Sequence, residues 1–84
     1  MSYLVYGKEN CKFCTAAKNL LDAKGKKYTY KQIGVDTTKE ELLEFCQEFG
    51  IIPRTVPQIF CDSFGEMDYI GGFEELEKAI KFDI

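Results

Sequence analysis

Between residues 2 and 33 the chain changes its hydrophobic period twice, and that change limits the folds open to it. "SYLVYG" (2–7) is a β-branched and aromatic run ending in glycine, the pattern of a short strand. From 11 to 24 the apolar residues Phe13, Ala16, Ala17, Leu20 and Leu21 recur at helical spacing, and Gly25 is placed to stop that helix. "KYTYKQI" (27–33) returns to strand-forming residues. A strand, a helix and a strand in this order pack well in one way. The helix crosses over, right-handed, between two parallel strands.

The remainder extends this core. "DTTKEELLEFCQEFG" places Thr38 three residues before Glu41, a capping box. Leu42, Phe45, Cys46 and Phe49 then form one helical stripe, which Gly50 can close. "QIFCD" and "EMDYI" flank "SFG" as an antiparallel hairpin. "GGFEELEKAIKF" carries Phe73, Leu76, Ala79 and Ile80 as a third stripe. The order β-α-β-α-β-β-α predicts an α/β fold, a four-stranded mixed sheet covered by three helices. A length of 84 residues leaves room for one domain, 1–84.

Charge and composition exclude several functions. A net charge of −3 gives no footprint for nucleic acid or an anionic membrane. Lys24, Lys26 and Lys27 cluster locally, as a solvated turn beside a helix end would. No apolar stretch approaches the roughly 20 residues that span a bilayer. "MSYLVYGKEN" lacks the basic and apolar regions of a signal peptide. The expected location is therefore a reducing cytoplasm, where four cysteines point to catalysis or metal binding rather than a disulfide framework. The chain has no histidine, which removes imidazole bases, Cys-His nucleophiles and His-containing zinc sites.

In "ENCKFCTAAK" (9–18) two cysteines stand three positions apart where the first strand gives way to the first helix. Backbone N–H groups and the positive end of the helix dipole converge there and favour a thiolate at Cys11. Lys12 and Lys8 would add to that field. Cys14, one turn further in, can reach back and close a disulfide. Two other readings compete: a pair of small buried residues, or half of a zinc site. Cys46 and Cys61 are the remaining soft ligands, but they form no second C-x-x-C and sit on apolar stripes, where cysteine packs as a small hydrophobe. No metal site is expected. The junction favours the redox pair.

"VYGKENCKFC", "RTVPQIF" and "YIGGFEEL", in this order and at this length, resemble a glutaredoxin of the thioredoxin-fold superfamily. The likeness spans essentially the whole chain, and the "GGF" opening of the last helix is most similar to the small glutaredoxins of T4-type bacteriophages. The resemblance implies a dithiol enzyme that reduces protein disulfides and glutathione mixed disulfides, with glutathione as reducing co-substrate and no bound cofactor. Cys11 would be the nucleophile and Cys14 the resolving thiol. Lys8 would meet the glycine carboxylate of glutathione, and Phe13 would lie beside its sulfur. Thr55, Val56 and Pro57 would form a loop with a cis bond before the proline. Gly72, Phe73 and Glu74 would hold the γ-glutamyl end. The implied protein is a cytoplasmic monomer whose partners are disulfide-containing or glutathionylated proteins, with ribonucleotide reductase a client of the family.

Two placements have independent support. Pro57 opens a strand without an N–H, which leaves Val56 free to pair with an extended peptide. The amides freed by Gly71 and Gly72 can take a carboxylate, although an ordinary turn explains the two glycines equally well. Departures from the family also stand out. Lys12 and Phe13 replace the usual Pro-Tyr between the cysteines, and Glu74 replaces a common Asp. "GIIPRTVP" is a longer link than usual, and Leu42 and its neighbours offer no evident substitute for the polar contact expected from the second helix. Three rivals follow: a thioredoxin fed by a flavoprotein reductase, a glutathione-ligated iron–sulfur module, and a binding domain with no redox chemistry. The missing Trp before the pair and the missing Gly-Pro within it weigh against a thioredoxin.

Overall fold

The computed structural model describes residues 2–81, so the ends of the expected 1–84 domain, Met1 and 82–84, lie outside the described residues. The elements run β1 (Ser2–Gly7), α1 (Lys12–Ala23), β2 (Lys27–Gln32), α2 (Lys39–Gln47), β3 (Gln58–Ser63), β4 (Glu66–Gly71) and α3 (Phe73–Lys81). That is the expected order, in the expected thioredoxin-like arrangement. Local chemistry sets the helix ends. The Thr38 hydroxyl accepts from the Glu41 amide at 3.1 Å, starting α2. At the end of α1 the Lys26 N–H reaches Leu21 O and the Gly25 N–H reaches Asp22 O, with Gly25 at φ 66°. Ile51 and Gly50 repeat the pattern on Cys46 and Gln47, with Gly50 at φ 70°. Both are Schellman caps, and the left-handed residue each needs is a glycine.

The sheet order is β2-β1-β3-β4, with β1 parallel to β2 and antiparallel to β3, and β3 antiparallel to β4. Side chains alternate between its faces. Tyr3 and Val5 of β1 join Ile59, Ala17, Leu21, Leu76 and Ile80 beneath α1 and α3. Tyr6 and Phe60 join Leu42 and Cys46 beneath α2. Phe60 is the hub of this second core, its ring 4.7 Å from that of Phe45, 5.1 Å from Phe49, 5.3 Å from Tyr69 and 6.0 Å from Tyr6. Offset and edge-on ring pairs of this kind each add about 0.5–1.5 kcal/mol beyond the burial of their area.

Three local expectations need correction. The buried face of α1 is Cys14, Ala17 and Leu21, whereas Phe13 remains 55% exposed. Phe13 instead reaches across to α3, where its ring lies 6.1 Å from that of Phe73. Ala79 is exposed, because α3 buries Leu76 and Ile80 against the sheet, with Phe73 packed partly beside them, and Ala79 falls off that face. Strand β2 stops at Gln32, and Ile33 keeps a single bridge to Thr37. The packing roles of the other two cysteines agree with their stripes: Cys46 is fully buried, and Cys61 is partly buried against the first core.

Burial pushes the Cys46 thiol above its ordinary value of 9.0. Tyr6 and Tyr69 are raised first by burial, then by the charge an ionised Cys46 would carry. These groups hold their protons longer folded than unfolded. Their stabilising effect is complete below the ordinary values and is lost as pH rises through the folded ones. The unfolding temperature of the Cys11–Cys14 disulfide form, in which neither of those thiols titrates, should thus be flat from neutrality to about pH 8 and fall beyond pH 9. Cys46→Ala should remove the first part of that fall, at a cost of about 1 kcal/mol at neutral pH. Thermal unfolding against pH in both proteins checks this.

Candidate active site

The sheet pairing gathers four chain segments at one end. Gln58, which opens β3, pairs with Tyr6 near the end of β1, so the turn before β3 meets the loop after β1. Gly71, which closes β4, pairs with Ile59, so the start of α3 arrives beside that turn. Gly7 pairs with Gln32 and its carbonyl accepts from Ile33, which brings the approach to α2 to the same edge. Residues far apart in sequence thus converge around Cys11.

Cys11 is the N-cap of α1, with φ −107° and ψ 110°, and follows Asn10 at φ 57°. Asparagine tolerates that left-handed turn, which lets the chain enter the helix abruptly. The Cys14 amide donates to Cys11 Sγ at 3.2 Å, so a free helix N–H points directly at the sulfur. The two cysteines form a disulfide, their Cα atoms 5.2 Å apart. Cys11 is partly accessible and Cys14 is 1% exposed. Cys11 Sγ also lies 3.8 Å from the Val56 carbonyl oxygen, and the bond between Val56 and Pro57 is cis.

Two grooves flank this point and share Thr55 and Val56. One, of about 390 Å³, is lined by Lys8, Ile33, Lys39, Leu42, Leu43, Pro53 and Arg54 besides the shared pair. The other, of about 320 Å³, adds Phe13, Pro57, Gly72, Phe73, Glu74 and Glu75. All eight residues singled out beside the cysteines therefore lie in one groove or the other. Lys8 occupies the first, Thr55 and Val56 occupy both, and Phe13, Pro57, Gly72, Phe73 and Glu74 occupy the second.

The structure adds residues that sequence reasoning passed over. Lys39 and Arg54 line the first groove with Lys8. Each is an exposed cation with no local pattern to mark it, although Lys39 follows the Thr38 cap and Arg54 opens the quoted "RTVP". Gln58 is 5% exposed, and its Nε2 donates to the Thr55 carbonyl at 2.7 Å. The Tyr69 hydroxyl in turn donates to Gln58 Oε1 at 2.7 Å. This buried chain fixes the turn the two grooves share. At the head of α3, Glu75 Oε1 accepts from the Gly72 amide at 2.8 Å, a capping arrangement that occupies one of the donors freed by the glycine pair.

Comparison with known proteins agrees with this geometry. A family model described as glutaredoxin matches residues 4–64. The chain is 35% identical over 72 residues to glutaredoxin 3 of Escherichia coli strain K12, covering 86% of this chain and 77% of that protein. It is 37% identical over 84 residues to glutaredoxin 1 of Rickettsia conorii, covering 95% and 76%. Among solved structures it resembles buckwheat glutaredoxin in complex with glutathione, with a TM-score of 0.73, 25% identity, and coverage of 94% of this chain and 67% of that one. With its sheet topology, its Cys11–Cys14 disulfide at a helix N-terminus and these relatives, the chain belongs to the glutaredoxin family.

Proposed function

We propose that the protein is a glutathione-dependent thiol–disulfide oxidoreductase that reduces protein disulfides and glutathione mixed disulfides through Cys11 and Cys14. The observation that carries this reading is the asymmetry of the pair. The sulfur of the partly exposed Cys11 accepts a helix N-terminal amide, and the sulfur bonded to it belongs to the buried Cys14 one turn behind. In the reduced protein the Cys11 thiolate attacks one sulfur of a substrate disulfide. A mixed disulfide forms, and the departing thiolate takes a proton from solvent. The Cys14 thiolate then attacks Cys11 Sγ and frees the second substrate thiol. Two glutathione molecules restore the dithiol and leave as glutathione disulfide, so two electrons pass from glutathione to substrate.

The grooves support roles for the surrounding residues. Lys8 offers a cation to the glycine carboxylate of glutathione. Thr55, Val56 and Pro57 present backbone to its cysteinyl residue, and Phe13 shields the sulfur. Gly72 is already capped by Glu75, so the Phe73 and Glu74 amides remain for the γ-glutamyl carboxylate, while the Glu74 side chain faces the ammonium. The protein would act as a monomer in a reducing cytoplasm on disulfide-containing or glutathionylated proteins, with ribonucleotide reductase a client by family likeness alone. No described helix is long and apolar enough to cross a membrane.

Cys11→Ser should abolish thiol exchange, and Cys14→Ser should retain deglutathionylation while losing reduction of protein disulfides. One thiolate suffices to exchange with a glutathionyl group, whereas releasing a protein disulfide needs the second thiol. A glutathionylated protein substrate, supplied with either glutathione and glutathione reductase or thioredoxin reductase, reads both points. Turnover with thioredoxin reductase alone would reject the glutathione-dependent reading.

Lys12 begins α1 next to Cys11 and is exposed. A neighbouring positive charge favours the thiolate, but between exposed partners the gain is on the order of 1 kcal/mol or less. The midpoint of a thiolate absorbance titration should rise from wild type to Lys12→Gln to Lys12→Glu, and the spread should shrink in high salt. Coincident titrations would leave the helix N-terminus alone in control.

A further inference from the structure

The two grooves that meet at residues 55–57 carry opposite charge. Lys8, Lys39 and Arg54 line one, and no carboxylate does. Glu74 and Glu75 line the other, and no cation does. The three cations are exposed and form no ion pair among the described residues. Glu74 is likewise unpaired there, whereas Glu75 accepts from the Gly72 amide. A chain of net charge −3 thus keeps an uncompensated cationic patch on one side of its reactive sulfur and an acidic one on the other.

Because Thr55 and Val56 line both grooves, a ligand lying along this turn crosses from one sign to the other. The crossing is marked by the Val56 carbonyl, 3.8 Å from Cys11 Sγ. The Val56 amide donates to no group among the described residues, and Pro57 has no N–H, so an extended peptide can pair with this edge. Extended chain advances about 3.3 Å per residue, so the two flanks of an attacked cysteine fall in different grooves. Apolar surface from Ile33, Leu42, Leu43 and Pro53 lies among the cations, where the stems of acidic side chains and an apolar neighbour would rest.

We propose that this cleft reads the direction of a polypeptide disulfide. It takes an extended segment that is acidic on one side of the attacked cysteine and neutral or basic on the other, and it disfavours the same residues in reverse order. The proposal rests on the reading of Cys11 as the attacking thiol, and it requires no glutathione. Lys39 and Arg54 are its specificity-determining residues on the cationic side.

The test uses the reduced full-length protein in single turnover, with three peptides that each carry one cysteine as a mixed disulfide with 5-thio-2-nitrobenzoate. The first has two aspartates before the cysteine and two lysines after, the second reverses them, and the third has glutamines on both sides. Cys11 attacks the peptide sulfur, the coloured thiolate departs, and Cys14 then frees the peptide thiol as the protein disulfide closes. The first two peptides share composition and net charge, so general steering by the acidic protein is the same for both. One order should react about tenfold faster than the other at low salt, a difference of about 1.4 kcal/mol. The ratio should collapse near 1 M salt, where screening acts within about 3 Å. It should fall to about twofold or less in Lys39→Gln/Arg54→Gln, and partway in Lys39→Gln alone, in line with the weakness of individual exposed ion pairs. Equal rates for the two orders in the wild type would overturn the proposal, and so would a ratio that salt or these variants leave unchanged. Failure of all three peptides, the neutral one included, would reject the dithiol reading and this proposal with it.

Discussion

The antiparallel register between β1 and β3 governs the chemistry of this molecule. A strand that follows a crossover helix could in principle add to the sheet in either direction. Run parallel to β1, the turn before β3 would emerge at the opposite end of the sheet from Cys11. Run antiparallel, with Gln58 opposite Tyr6, it emerges beside the loop that carries Lys8 and Cys11. The β3–β4 hairpin then returns the chain to that end, where Gly71 pairs with Ile59 and α3 begins. One pairing choice therefore decides that the sulfur, the turn at 55–57 and the head of α3 are neighbours.

Strand β3 also holds that arrangement in place. Ile59 is buried in the core beneath α1 and α3, and Phe60 is buried in the aromatic core beneath α2. Gln58 ties the strand to the turn through the Thr55 carbonyl, and Tyr69 holds Gln58 from β4. A buried amide is costly unless its donors and acceptors are engaged, and here both ends are. Three consecutive residues thus anchor two cores and the active-site turn. Slipping the register by one residue would exchange the two cores and break the amide contact together.

Much of the fold was legible because its signals are local. Strand β1, the Thr38 cap, the Gly25 and Gly50 stops and the β3–β4 hairpin each follow from a few adjacent residues, and each stands where expected. What failed was also local in cause. Periodicity marks an apolar stripe without telling how much of it the sheet covers, so Phe13 and Ala79 were assigned to packing they do not share. The redox pair was legible from its junction, whereas Lys39, Arg54 and the Tyr69–Gln58 pair were not. Their roles depend on which strands pair, and an exposed cation or a strand glutamine carries no periodic mark. The cis bond before Pro57 came from family likeness alone, since most X-Pro bonds are trans.

The unequal exposure of the two cysteines follows from helix geometry. Cys14 lies three residues before Ala17 and seven before Leu21, so it shares the stripe that α1 buries against the sheet. Cys11 caps the same helix one turn earlier, where the chain is still leaving the loop; the residue is partly exposed and its sulfur accepts from the Cys14 amide. Lys12 and Phe13, between them, point away from the core. Substitutions at positions 12 and 13 can therefore change what an approaching disulfide meets without disturbing the packing of α1. A change at Cys14 touches both at once, because the sulfur bonded to Cys11 also belongs to a core residue. At Lys12 and Phe13, where this chain departs from the usual Pro-Tyr pair, reactivity and recognition can thus vary without disturbing the buried stripe of α1.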